Sequence, residues 1–129
     1  MYKILSREKL SASVTRMVLS APEAAKNAKP GQFVVVIPGQ KGERIPLTIA
    51  DSDPELGTVT LIFQEVGFST VELGLMRPGD SVHAILGPLG KATHIKNFGT
   101  VICMGGGVGV AEMLPAARAF KKAGNRVIG

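Results

Sequence analysis

Three stretches of this sequence join residue types that can hold phosphates. The first is GGGVG, residues 105–109, which follows an apolar segment and precedes a helical pattern. Glycines in that setting let backbone N–H groups approach an anion, and a helix start favours negative charge. The dinucleotide fingerprint G-x-G-x-x-G is incomplete, because Gly105 and Gly107 fit but position 110 is Val. No Gly-Lys-Ser/Thr follows, so this is not a Walker loop either. A phosphate loop and a tight strand-to-helix turn both explain the run. The second stretch is VGFSTVEL, residues 66–73. Gly67 permits close backbone approach, and the N–H groups of Phe68, Ser69 and Thr70 would lie at a helix start beside two hydroxyls. Ser69 followed by Glu72 reads as a capping box, so a helix beginning at Ser69 is expected and a plain capped helix is the alternative. The third is RIPLTIAD, residues 44–51. Arg44 can pair with a phosphate bidentately or stand as an ordinary solvated arginine. Pro46 removes a ladder donor, which predicts a sheet edge or a ligand beside the strand.

Other reactive residues are sparse. His83 and His94 are too isolated in sequence for a metal site, and a surface or barrel-rim place is expected for each. Cys103 stands alone inside an apolar strand pattern and is expected to be a buried core thiol. Glu112, just after the glycine run, either contacts a ribose or nicotinamide or simply begins a helix, where acids are favoured.

The elements that position these residues follow from periodicity. Residues 2–8 and 13–20 alternate polar and apolar and read as strands. Residues 21–31 are a connector with a short helical turn near Glu23–Asn27. Strands are predicted at 32–38, 44–50, 58–66 and 81–86. Residues 39–43 form a hairpin loop, and 51–57, DSDPELG, are dense in turn formers. Six short strands with one brief helix predict a mainly β chain built on a six-stranded antiparallel barrel over residues 1–97. From residue 98 the pattern changes. GTVICM reads as a strand buried on both faces. Residues 110–124 have helical spacing, with Pro115 tolerable in the first turn, which puts the helix start near 113 or 114. A further strand begins at 126. This β–loop–α–β order predicts that 98–129 are the first part of a nucleotide-binding α/β domain, in a truncated chain.

Composition narrows the function classes. The chain is 45% hydrophobic and 5% aromatic with no Trp, so its core must be aliphatic. Its net charge of +5 is unevenly spread: six basic against two acidic residues in 1–30, three against seven in 31–90, and six against one in 91–129. The basic residues are scattered singly without aromatic interleaving, which argues against nucleic acid as a partner. No apolar run approaches the ~18 residues that span a membrane, so no membrane partner is expected. One cysteine and a charged N-terminus without a signal-peptide core fit a cytoplasmic chain.

Taken in order, MYKILSREKLS, VTRMVL, KPGQFVVV, ERIPLTIAD, VGFST, GPLGK and GGGVGVA resemble the ferredoxin–NADP reductase-like flavoproteins. Within them they are most similar to electron-transfer subunits of the dihydroorotate dehydrogenase and NADH-dependent reduced ferredoxin:NADP oxidoreductase type. The resemblance implies an FAD-binding barrel followed by a domain that admits NAD(P)H as substrate. Arg44 would pair with the FAD pyrophosphate. Pro46, Leu47, Thr48 and Ile49 would line the isoalloxazine, with Thr48 near N5, where hydride arrives, as the catalytic position. Phe63, Gln64 and Val66 would form the adjoining wall. Gly67, Ser69 and Thr70 would cradle the pyrophosphate, and Gly105, Gly106, Gly107, Val108 and Gly109 would meet the nicotinamide dinucleotide. Two departures stand out. Leu47 takes the place of the stacking tyrosine of R-x-Y-S, and Arg44 lies one residue further from Thr48. A [2Fe–2S] cluster normally takes four cysteines; with Cys103 alone, it is expected only in a segment beyond residue 129 or on a larger partner subunit of a hetero-oligomer. The alternative is a nucleotide-binding module with a regulatory or assembly role and no redox activity.

Overall fold

The structure, a computed structural model, describes residues 2–106 and 109–129, and of Glu112 only the backbone. The elements are β1 (Tyr2–Lys9), β2 (Val14–Ser20), α1 (Pro22–Asn27), β3 (Phe33–Ile37), β4 (Ile45–Asp53), β5 (Thr58–Gln64), α2 (Phe68–Leu75), β6 (Ser81–Val82), β7 (Ala84–Leu89), β8 (Thr100–Ile102), α3 (Gly109–Lys122) and β9 (Arg126–Ile128). Seven strands form one antiparallel sheet in the order β6-β1-β2-β5-β4-β3-β7. Its two end strands, β6 and β7, are consecutive in the chain. They are separated by His83, whose N–H lies 2.9 Å from the Ile37 carbonyl and 3.1 Å from that of Pro38. One strand bent at His83 therefore joins both sheet ends, and the predicted six-stranded barrel is present with its sixth strand counted as two. Curling the sheet in this way protects edges that would otherwise template aggregation.

Alternation sets the core. Met17 and Leu19 of β2, Val34 and Val36 of β3, and Val59, Leu61 and Phe63 of β5 all point inward and are buried. Ile4, Leu73 of α2 and Val82 complete an aliphatic interior, as the lack of tryptophan required. Pro22 opens α1, where its missing N–H costs nothing, and Ala24 and Ala25 face the barrel.

Several features differ from expectation. β4 runs to Asp53 rather than residue 50, because Asp51, Ser52 and Asp53 pair with Thr60, Val59 and Thr58. The turn chemistry is confined to the short link between β4 and β5: Asp53 Oδ1 accepts the N–H groups of Glu55 and Leu56, and Gly57 takes φ +70°. The α2 helix starts at Phe68 with Gly67 as N-cap, so the Ser69–Glu72 capping box does not form; Thr70 fills that role. The α3 helix starts at Gly109, and Pro115 lies within it. Gly109 itself opens the helix, and its one internal proline sits where α3 packs on β4. Finally, β8 is not buried on both faces. It pairs in parallel with β9 alone, and Ile102 is 68% exposed.

A buried asparagine ties this second sheet together. Asn125 Oδ1 accepts the Phe98 N–H at 2.6 Å, and Nδ2 donates to the carbonyls of Lys96 and Phe120, each at 2.9 Å. It thus joins the entry to β8, the end of α3 and the start of β9. Among the described residues no helix is long and apolar enough to cross a membrane.

Candidate functional site

The RIPLT segment occupies a local edge inside the sheet. Ile45, Pro46, Leu47 and Thr48 pair with Val36, Val35, Val34 and Phe33 of β3. On the other side, β4 meets β5 only from Ile49 onward, opposite Leu61. The first half of β4 therefore has one ladder-free side, and the edge expectation for Pro46 holds although β4 is a central strand. Pro46 is exposed, and Leu47 and Thr48 are half-buried. Phe33 is itself fixed by close packing: Gly90 has φ +85°, and a Cβ there would lie 3.0 Å from the Phe33 ring. That explains the second glycine of GPLG.

The start of α2 is tied to the residue two places before β4, because Ser69 bonds Glu43. Gly67 is extended, with φ −148° and ψ 174°. The N–H groups of Phe68, Ser69 and Thr70 occupy the first three helical positions, where no intrahelical acceptor exists. A Cβ placed on Gly67 would meet nothing within 4 Å, so a ligand can reach the backbone there. The two hydroxyls have different roles. Thr70 Oγ1 accepts the N–H of Val66 at 3.0 Å and of Gly67 at 3.2 Å, and donates to the Gly67 carbonyl. Its hydrogen is therefore committed to the cap, and what it offers a ligand is its backbone N–H. Ser69 Oγ points outward and donates to Glu43 Oε2 at 2.6 Å. Arg44, next in the chain, is exposed and makes no side-chain bond among the described residues.

The far end of α2 is anchored by charge. Arg7 Nη1 donates to the Gly74 carbonyl at 2.9 Å, complementing the negative end of the helix. Glu65 accepts from Lys9 at 2.7 Å and from the buried Thr15 hydroxyl at 2.8 Å. These hydrogen bonds, Lys9 first and Thr15 second, hold the Glu65 carboxyl below the usual carboxylate range. A Cβ at Gly74 would overlap its carboxylate, so any side chain there must displace Glu65. The anchor fixes where the open helix start points.

The proposed wall residues divide. Gln64 is exposed and Val66 is 74% exposed, so both can line an open face. Phe63 and Ile49 are core residues, 2% and 4% exposed, because strand alternation turns them inward. Both are packed in the core behind the exposed Gln64 and Val66. Two side chains escaped the sequence reading: that of Glu43, which looked like part of a loop, and the ring of Phe68, 83% exposed at the helix start, where only its N–H was expected to matter. An aromatic directly after the cradle glycine was the available signal for Phe68.

The glycine run forms a second centre. Gly105 is pressed against the start of α3, where a Cβ would lie 2.9 Å from the Gly109 carbonyl and the Val110 nitrogen. Gly109 N–H donates to the Gly106 carbonyl at 3.0 Å. Gly107 and Val108 lie outside the described residues, as does the Glu112 side chain. Cys103, Met104, Gly105, Gly106, Val110 and Met113 line an open depression of about 770 Å³. Cys103 is half-exposed rather than buried, since β8 ends one residue before it. A separate groove of about 600 Å³ runs between β4 and α3. Across it Arg118 approaches Asp51 at 3.4 Å. His83 sits at the barrel rim, and His94 packs edge-on against Phe98. No group of three or more His, Cys, Asp or Glu side chains is placed to hold a metal among the described residues.

No family model matches the chain. It is homologous to proteins named as electron-transfer subunits. It is 43% identical over 125 residues to the dihydroorotate dehydrogenase B (NAD(+)) electron transfer subunit homolog of Thermotoga maritima, covering 97% of this chain and 44% of that protein. It is 28% identical over 139 residues to the corresponding subunit of Bacillus caldolyticus, covering 97% and 54%. The chain thus spans about half the length of the curated relatives it matches. Among solved structures, it superposes at TM-score 0.96 and 42% identity on a chain of the NADH-dependent reduced ferredoxin-NADP oxidoreductase, covering 98% of this chain and 46% of that one. Phthalate dioxygenase reductase shares the fold at TM-score 0.77 and 20% identity, covering 98% and 41%. The curled antiparallel sheet is that of ferredoxin reductase FAD-binding domains.

Proposed function

We propose that this chain is the flavin-binding part of an oxidoreductase electron-transfer subunit, passing electrons between NAD(P)H, FAD and an iron–sulfur centre or partner subunit. The single observation that carries this reading is the bond between Ser69, in the open first turn of α2, and Glu43, which directly precedes Arg44 and the ladder-free half of β4. The donor set fits a flavin dinucleotide. The N–H groups of Phe68, Ser69 and Thr70, the Ser69 hydroxyl and the Arg44 guanidinium would hold the pyrophosphate. Pro46, Leu47 and Thr48 would present one face to the ring system, Gln64 and Val66 its border, and Phe68 an aromatic surface alongside. Thr48 would hydrogen-bond near the reacting ring edge, and the packed barrel behind it would keep that edge in place. Bound FAD supplies the redox chemistry, exchanging electron pairs with nicotinamide and single electrons with a metal centre. The protein supplies position and electrostatics.

Residues 1–97 act in this reading as the FAD-binding barrel, and 98–129 as the start of the nucleotide-binding α/β unit. Gly105 to Gly109 would admit NAD(P)H from the depression beside Met104. The relatives' designation as electron-transfer subunits supports a larger partner subunit in a hetero-oligomer. The test is direct. The purified native protein should carry or take up flavin, release FAD on denaturation, and be bleached by NADH or NADPH without oxygen. A protein that takes up no flavin under any condition contradicts the reading.

A further inference from the structure

The bond between Ser69 and Glu43 places an anion where the proposed function needs room for one. The two residues are 26 positions apart, and Ser69 Oγ donates to Glu43 Oε2 at 2.6 Å. This is the short distance of a charge-assisted bond. Ser69 is the second residue of α2, so the carboxylate it holds lies at the positive end of the helix, which favours it as it would favour a phosphate. It is tethered to the chain and therefore always present. A ligand phosphate cannot share the Ser69 proton with it without like-charge repulsion. Arg44 directly follows Glu43 and makes no side-chain bond among the described residues, so its guanidinium is open to a phosphate.

We propose that Glu43 is a specificity-determining residue of the cradle. Its carboxylate occupies the Ser69 hydroxyl until a pyrophosphate displaces it, and this exchange sets how tightly the site takes phosphorylated flavin. The proposal rests on the reading that α2 receives the FAD pyrophosphate. Without a ligand, the Glu43–Ser69 bond keeps the β3–β4 loop on the helix start. With FAD bound, Glu43 turns to solvent and Arg44 pairs with the phosphates. A flavin without phosphates has no reason to displace Glu43.

The test is a flavin titration of the flavin-depleted native protein, read by fluorescence quenching, with FAD and with riboflavin. Glu43→Gln keeps an acceptor for Ser69 but removes the charge. It should tighten FAD about threefold, within the range for an exposed charge interaction. It should leave riboflavin unchanged. The gain should shrink as salt is raised, because exposed charges are screened. It should also vanish in the Ser69→Ala background. Because Glu43 is exposed, the melting temperature serves as the control for folding and should not change. Equal or weaker FAD binding in Glu43→Gln, or an equal gain for riboflavin, overturns the proposal while leaving the flavin reading intact. Failure of the unaltered protein to bind FAD at all overturns both.

Discussion

Arg7 Nη1 donates to the Gly74 carbonyl at 2.9 Å, linking β1 to the last turn of α2 across 67 residues. The open start of this helix, the proposed phosphate cradle, is thus aimed by a contact at its opposite end. Glu65 reinforces it by filling the space beside Gly74 while bound to Lys9 and Thr15. The proposed site is therefore held partly by residues that never approach a ligand.

Gly74→Ala should be more disruptive than its size suggests. The new methyl would drive the Glu65 carboxylate from Lys9 and from the buried Thr15 hydroxyl. Leaving a buried polar group without its partner costs about 1–3 kcal/mol. Chemical denaturation should show that loss, and FAD affinity should fall with it. A variant as stable as the parent would show that the Glu65 anchor is dispensable.

Stability should carry an acid limb that depends on Glu65. Its carboxyl is depressed below 4.5 by Lys9 and Thr15, so the unfolded chain binds the proton more readily than the folded one. The stabilisation is then complete above the unfolded value and is lost as pH falls through the lower folded value. Glu65→Gln should flatten melting temperature against pH in that acid window. An unchanged acid limb in the variant would assign the effect elsewhere.

Arg44→Ala should weaken FAD binding by roughly 1.5–3 kcal/mol, the range for a hydrogen bond to a charged group. Arg44 makes no bond among the described residues, so folding stability should be unaffected. Unchanged affinity would mean that the extra residue between Arg44 and Thr48 turns the guanidinium away from the phosphates.

Asn125→Ala should destabilise the second sheet. It removes three hydrogen bonds and leaves the Phe98 N–H and the Lys96 carbonyl without their partner. A loss of about 1–3 kcal/mol is expected. Hydrogen exchange should accelerate in β8 and β9 and stay unchanged in the barrel. Uniform acceleration would mean that the two regions unfold together.

Much of the barrel is legible in the sequence because half-buried strands alternate. β2 and β5 show this clearly, with Met17, Leu19, Val59, Leu61 and Phe63 all inward. The end of β4 was not legible, since Asp51 to Asp53 are turn formers that long-range pairing with β5 holds in a strand. The bend at His83 escaped for the same kind of reason. Closing the barrel requires one strand to serve two partners, and no local pattern announces that. At the site, backbone chemistry was readable from Gly67 and the polar residues after it. The inward turn of Phe63 and Ile49 follows from a register that only the paired sheet fixes. Glu43 and Asn125 were invisible because Ser69, Phe98 and Lys96, which they bond, lie 26 or more positions away in the chain.

The most direct measurement is a crystal structure of the native protein with FAD bound. The pyrophosphate should lie within hydrogen-bonding reach of the Phe68, Ser69 and Thr70 N–H groups and of Arg44. The ring system should rest on Pro46, Leu47 and Thr48, with Glu43 turned away from Ser69. An FAD whose phosphates sit instead at Gly105–Gly109, with the Glu43–Ser69 bond intact, would contradict the proposed site.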